Sequence, residues 1–298
     1  MNKPFFFGVC TALVTPFLHG KIHDQMLDQL ITRQLDSGID TLVISGTTGE
    51  SPTLSDTEKI HLFKQAKRFS GSHARIIAGT GSNNTMHAVS LSCEAEAAGA
   101  DALLLVSPYY NKATPDGLVE HFGLIASNVS IPIILYNVPS RTGVDIPVNV
   151  YRQLAEIPNI CGVKEASTDI TKITKIRAAC PPSFSIWTGN DAQIVPAISL
   201  GGNGVISVLS NILPKETKRM ANAALCGNYQ TAAELQIRLD SLIDALFAEV
   251  NPIPVKAAMK LIGYECGEGR LPLSKISPEA LKKLEKALSS IGSYDILK

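Results

Sequence analysis

Residues 158–180 read "PNICGVKEASTDITKITKIRAAC". Ile160, Cys161 and Val163 form a short apolar run of the kind that fills a strand buried on both faces. The run ends at Lys164, and a segment with the apolar spacing of a helix packed on a sheet follows. This is one strand–helix unit, and the same rhythm runs along the chain. Strands are expected at Val9–Val14, Thr41–Ser45, Arg75–Ala78, Ala102–Val106, Pro132–Tyr136, Ile160–Lys164, Phe184–Trp187 and Gly204–Ser207. Amphipathic or alanine-rich segments such as "DQMLDQLITRQLDSG" and "SDTEKIHLFKQAKRFSG" lie between them. Gly38, Gly71 and Gly99 fall where helices should end.

Eight such units predict an α/β fold, a (β/α)8 TIM barrel. A doubly wound sheet is the competitor, but no GxGxxG follows the first strand. Residues 216–250, "PIPVKAAMKLIGY" and "SPEALKKLEKALSSIG" read as helix beyond the eighth unit. The expected division is a catalytic barrel over 1–225 and a helical C-terminal extension over 226–298.

The chain has 298 residues, with 27 basic and 27 acidic side chains. That balance gives no electrostatic reason to expect a nucleic-acid or membrane partner. The N-terminus reads as a first strand rather than a signal peptide, and no stretch is apolar enough to span a membrane. The cysteines at 10, 93, 161, 180, 226 and 266 form no CxxC pair. A reducing cytoplasm is therefore expected, with neither a disulfide framework nor a zinc site. The six histidines form no HExxH and no close acidic cluster, so no metal is expected.

A lysine closing a buried strand is costly unless it is paired, loses its proton or snorkels to water. Its neighbours decide between these readings. Barrel enzymes carry their chemistry after the C-terminal strand ends. There this chain places "SGTTGESPTLS" (45–55), "SPYYNKATPDG" (107–117), "YNVPSRTGVDIP" (136–147), Lys164, "TGND" (188–191) and "GNGVISV" (202–208). Hydroxyls, tyrosines, an arginine and the lysine collect at one rim. Each has a bland reading: a glycine turn, interface tyrosines, a loop charge. Their joint placement favours chemistry.

A desolvated lysine can attack a ketone and form an imine, which acidifies the neighbouring carbon and yields an enamine. The loops hold no histidine, so the proton carriers are the hydroxyls of Thr47, Tyr110 and Tyr136. The hydroxyls and backbone amides of Gly46, Thr47, Thr48 and Gly49 suit a carboxylate. Arg141 offers a planar fork for a second one. The substrates suggested are a keto acid and another anionic carbonyl compound.

"GTTGES", "PYYNKAT", "YNVPSRTG" and "VKEAS", in this order, with "GVCTALVTPF", "GVISV" and "NPIPVKAAM", resemble the dihydrodipicolinate synthase/N-acetylneuraminate lyase family over almost the whole chain. The resemblance implies that Lys164 forms a Schiff base with pyruvate. It places Tyr136 beside the imine, makes Thr47 a relay hydroxyl and Thr48 a carboxylate ligand, and has Ile206 line the pyruvate pocket. Tyr110 would reach in from a neighbouring subunit of a homodimer or homotetramer. Arg141 implies L-aspartate-4-semialdehyde as second substrate, with 4-hydroxy-tetrahydrodipicolinate as product, for diaminopimelate and lysine synthesis. The resemblance also implies that no organic cofactor is needed. The rivals are a pyruvate-dependent aldolase of a 2-keto-3-deoxy sugar acid and a catalytically silent binding barrel. The first leaves Arg141 nothing to pair with; retention of the lysine, threonine and tyrosines argues against the second. Ala113 replaces a frequent proline and Asn190 a frequent aspartate; neither is given a role.

In lysine-regulated members, the resemblance implies an inhibitor pocket of two histidines, an asparagine, a glutamate and a tyrosine. The corresponding positions here hold Asp56, Lys59, Asn83, His87 and Tyr109. A bound L-lysine would meet the like charge of Lys59, which Asp56 offsets in part. Weak or absent inhibition is expected.

Overall fold

The computed structural model describes residues 4–291. Eight parallel strands form the barrel: β1 (Gly8–Ala12), β4 (Thr41–Ile44), β5 (Arg75–Gly79), β6 (Ala102–Val106), β7 (Ile133–Asn137), β8 (Ile160–Glu165), β9 (Ser185–Thr188) and β10 (Gly204–Ser207). Two further strands, β2 (Phe17–Leu18) and β3 (Lys21–Ile22), pair antiparallel in a small hairpin after β1. The barrel strands follow one another in chain order, and β1 closes the ring by pairing with both β4 and β10. All eight strands expected from the sequence are present, with ends shifted by up to two residues.

Alternation along the strands separates two cores. Cys10, Val43, Ile77, Leu104, Ile134, Tyr136, Trp187 and Ile206 fill the interior. Leu42, Ile76, Leu103, Leu135, Val163 and Ile186 pack outward against the helices. Phe6 stacks on Trp187 at 4.6 Å and 11°, and the Trp187 indole donates to the Phe6 carbonyl at 3.2 Å. Closure between β1 and β10 depends on glycine. Gly8 pairs with Gly204, whose φ is 150° and where a Cβ would lie 1.9 Å from the Gly8 carbonyl oxygen. No side chain fits there.

The stretch 216–250, expected as one helix, is two: Pro214–Leu225 and Tyr229–Leu246. Gly227 at φ 78° breaks it, and Asn228 caps the second helix by accepting from the Thr231 amide. Helices Ile253–Leu261 and Pro278–Ile291 complete the C-terminal region. Residues 292–298 of the expected extension, and 1–3 of the barrel, lie outside the described residues. Between β7 and β8 are two short helices, Pro139–Thr142 and Val148–Leu154, for which the sequence carried no clear periodic signal.

Candidate active site

β7 and β8 pair with Tyr136 opposite Lys164 and Asn137 opposite Glu165. Alternation sends the first pair into the barrel and the second outward. Lys164 is 5% exposed, and its Nζ stands 4.4 Å from the centre of the Tyr136 ring. The aliphatic stem of Lys164 passes directly over Gly189 of the "TGND" segment. A Cβ at 189 would lie 2.7 Å from both Lys164 Cε and Ala166 Cβ. The Gly189 amide donates to the Glu165 carbonyl at 2.7 Å, which fixes this approach.

The "GTTG" turn follows β4. Ser45 at φ 56° and Glu50 at φ 59° flank it, both left-handed without being glycine. Such conformations cost roughly 1–3 kcal/mol each and persist only where the surroundings impose them. At Glu50 the C-terminal region imposes it. The buried Glu50 carboxylate accepts from Lys256 Nζ at 2.7 Å and from the Arg270 amide at 2.9 Å. Burial pushes the Lys256 ammonium below its ordinary pKa, and the charge of Glu50 opposes that fall. Thr15 Oγ1 donates to the Gly49 carbonyl at 2.6 Å.

Asn251 ties the two expected carboxylate-binding groups together. Its Nδ2 donates to Thr48 Oγ1 at 3.0 Å, and its carbonyl accepts from Arg141 Nη2 at 3.3 Å. Thr48 is buried, whereas Arg141 is exposed at the rim. Thr47, Gly46 and Tyr136 line one cavity of about 100 Å³ that extends to Ser82, His87 and Tyr109. Ile206 packs in the same interior cluster as Tyr136. Behind it, buried Asp191 accepts from Ser207 Oγ at 2.6 Å and from the amides of Val208 and Leu209 at 2.9 and 3.0 Å. Burial raises the Asp191 carboxyl, and these hydrogen bonds oppose the rise.

Of the other expected site residues, Lys164, Thr48, Gly49, Arg141, Ile206 and Tyr110 lie outside the lining of that cavity. Tyr110 is 91% exposed and has φ 68°. At the expected inhibitor pocket, Lys59 Nζ is 3.5 Å from Asp56 Oδ1 and His87 Nε2 is 2.8 Å from Asp56 Oδ2. Asn83 Nδ2 donates to the Tyr109 carbonyl at 3.1 Å.

Asn251, Gly189, Glu50 and Asp191 were not singled out from the sequence. Asn251 and Gly189 did lie in quoted motifs, "NPIPVKAAM" and "TGND". Their partners are distant in the chain, so no local spacing exposed their roles. Among the described residues no group of three or more His, Cys, Asp or Glu is placed to hold a metal. No helix among them is long and apolar enough to cross a membrane.

The model of the dihydrodipicolinate synthetase family matches residues 5–291. The 4-hydroxy-tetrahydrodipicolinate synthase of Acetivibrio thermocellus is 47% identical over 292 residues, covering 98% of this chain and 99% of the relative. Among solved structures, the dihydrodipicolinate synthase of Aquifex aeolicus superposes with a TM-score of 0.94 at 42% identity, covering 98% of this chain and 99% of that one. The enzyme of Acinetobacter baumannii, solved in complex with pyruvate, has a TM-score of 0.94 at 39% identity, covering 96% and 99%.

Proposed function

Because this chain belongs to the dihydrodipicolinate synthetase family, we propose that its rim residues perform the reaction of a 4-hydroxy-tetrahydrodipicolinate synthase. That activity is the one its full-length relatives carry. It is a Schiff-base carbon–carbon bond formation, serving diaminopimelate and lysine synthesis. The substrates are pyruvate and L-aspartate-4-semialdehyde.

In this reading the Lys164 amine attacks the pyruvate ketone, and loss of water gives the imine. The Thr48 hydroxyl and the backbone of Gly46–Gly49 receive the pyruvate carboxylate. Tyr136, beside the amine, and Thr47, on the same cavity, carry protons to and from the carbinolamine oxygen. Loss of a methyl proton gives the enamine, which attacks the aldehyde carbon. Arg141 holds the carboxylate of the aldehyde substrate by a charge-assisted fork. The substrate amine then displaces Lys164 and closes the six-membered ring. Ile206 supplies an apolar wall.

The observation that carries this reading is the burial of Lys164 against Tyr136 at the inner rim. A steady-state assay of the purified chain with pyruvate and each aldehyde tests it. Turnover with L-aspartate-4-semialdehyde at least ~10²-fold above that with any sugar-derived aldehyde is expected, as a site built to pair an anionic group discriminates. Preference for a polyol aldehyde would transfer the chain to the sugar-acid aldolases.

We also infer a homodimer or homotetramer in which Tyr110 completes a neighbouring site. An exposed aromatic in a left-handed conformation suits a residue whose surroundings come from a second copy. A fully active monomer, in sedimentation and assay at one concentration, would contradict this. Six free cysteines fit a cytoplasmic setting.

A further inference from the structure

Immediately behind the Lys164–Tyr136 pair, on the outer face of the barrel, lies a polar network that is buried at its centre and reaches the surface at Asp145. Glu165 is 2% exposed and Asn137 0%. Asn137 Nδ2 donates to both Glu165 oxygens at 3.0 Å and to Asp145 Oδ1 at 2.8 Å. Asn137 Oδ1 accepts from the Ile146 amide at 3.0 Å. Glu165 also accepts from the Ser167 amide at 2.8 Å and from the Tyr151 hydroxyl at 3.3 Å. The buried Lys172 ammonium pairs with Asp145.

Two members of this network are adjacent in the chain to residues the reaction uses, and two more share a loop with a third. Glu165 follows Lys164, and Asn137 follows Tyr136. Asp145 and Ile146 end the loop that begins with Arg141. The side-chain bond between Asn137 and Glu165 runs across the same pair of strands as the Lys164–Tyr136 contact, one residue further on. A shift of β7 against β8 would have to break it.

We propose that Asn137 and Glu165 are positioning residues for the reaction, with Asp145 and Lys172 extending their hold to the Arg141 loop. Together they fix the amine, the phenol and the guanidinium relative to one another. A buried carboxylate is costly, and an apolar pair of similar size would fill this layer more cheaply. Burial raises the Glu165 carboxyl, opposed by the Ser167 amide and the Asn137 side chain. Tyr151 stays a donor because burial, and then the charge of Glu165, push its phenol well above the ordinary value. The network sends donors toward Glu165 from three sides, so its acceptor character matters more than its volume.

The proposal rests on Lys164 being the imine-forming lysine, and borohydride trapping on the unaltered enzyme decides that separately. The test reads Glu165→Gln and Asn137→Asp in melting temperature, kcat and the KM of each substrate. Glu165→Gln turns one acceptor oxygen into a donor facing donors, and Asn137→Asp sets a carboxylate against those of Glu165 and Asp145. Each folded variant should lose ~10- to 100-fold in kcat, the scale for catalytic groups displaced by about 1 Å. A purely structural role would lower the melting temperature and leave kcat and both KM values within twofold, and that result overturns the proposal. Should Glu165→Gln fail to fold, Lys172→Met is read instead. It removes the partner of Asp145 and should raise the KM for the aldehyde at least ~5-fold while leaving that for pyruvate; an unchanged aldehyde KM overturns the proposal.

Discussion

The Lys164 amine and the Tyr136 ring face each other across one rung of the barrel, with Nζ 4.4 Å from the ring centre. Ring and hydroxyl therefore have separable jobs. The ring packs against the amine, and in the proposed reaction the hydroxyl carries protons. Tyr136→Phe keeps the first and deletes the second. It should still form the pyruvate imine while kcat falls ~10²- to 10⁴-fold, the usual span for losing a general acid–base. Stopped-flow imine formation beside steady-state turnover separates the two steps. Unchanged kcat would remove Tyr136 from the relay.

Arg141 reaches the Asn251 carbonyl and is otherwise free to take an anion at the rim. Arg141→Ala should trap pyruvate normally and use aspartate semialdehyde poorly. A charge-assisted bidentate contact is worth roughly 2–4 kcal/mol, hence a ~30- to 1000-fold loss in kcat/KM for the aldehyde. If pyruvate trapping is impaired while the KM for the aldehyde is unchanged, the two carboxylate sites are exchanged.

L-Lysine should inhibit weakly or not at all. Lys59 and His87 share the carboxylate of Asp56, which leaves little negative charge for an incoming ammonium. Two ammonium groups ~5 Å apart at an effective dielectric near 20 repel by roughly 3 kcal/mol, and Asp56 offsets part of this. Titration of activity with L-lysine measures the outcome. Half-inhibition below about 1 mM would show a rebuilt pocket.

Stability in acid should depend on Glu58. Hydrogen bonds from Arg270 hold its carboxyl down at about 2, below the unfolded value. A depressed acid stabilises the folded state fully above the ordinary carboxylate range and loses that contribution as pH falls toward the folded value. The Glu58 side chain is 29% exposed, so the effect is discounted to about 1 kcal/mol. Glu58→Gln should be less stable than the parent at pH 7, with the gap shrinking as pH falls toward 2 and closing below it. Urea unfolding across this range checks the sign; a stability gap independent of pH would contradict it.

The barrel was legible because each parallel strand is buried on both faces and so appears as an apolar run. Lys164 and Tyr136 stood out because they fall at the ends of such runs, and Arg141 because it is a charge in a loop at the same rim. The hairpin β2–β3 was not, since two-residue strands leave no period. The break at 226–228 was masked by helix-forming residues on both sides. The clamp on the "GTTG" turn was hidden by distance: Asn251 and Thr48 are 203 residues apart, and Lys256 and Glu50 206. A contact of that separation leaves no trace in local pattern. Glu50 in particular read as part of a glycine turn, yet its carboxylate turns inward to a buried lysine.

The central claim is that Lys164 carries the covalent intermediate. Incubating the protein with pyruvate, reducing with borohydride and mapping the modified peptide by mass spectrometry tests it most directly. One adduct, of the mass of reduced pyruvate and confined to Lys164, is expected, and it should disappear in Lys164→Ala together with ~10³-fold or more of turnover. An adduct on another lysine, or turnover with no adduct at all, would contradict it.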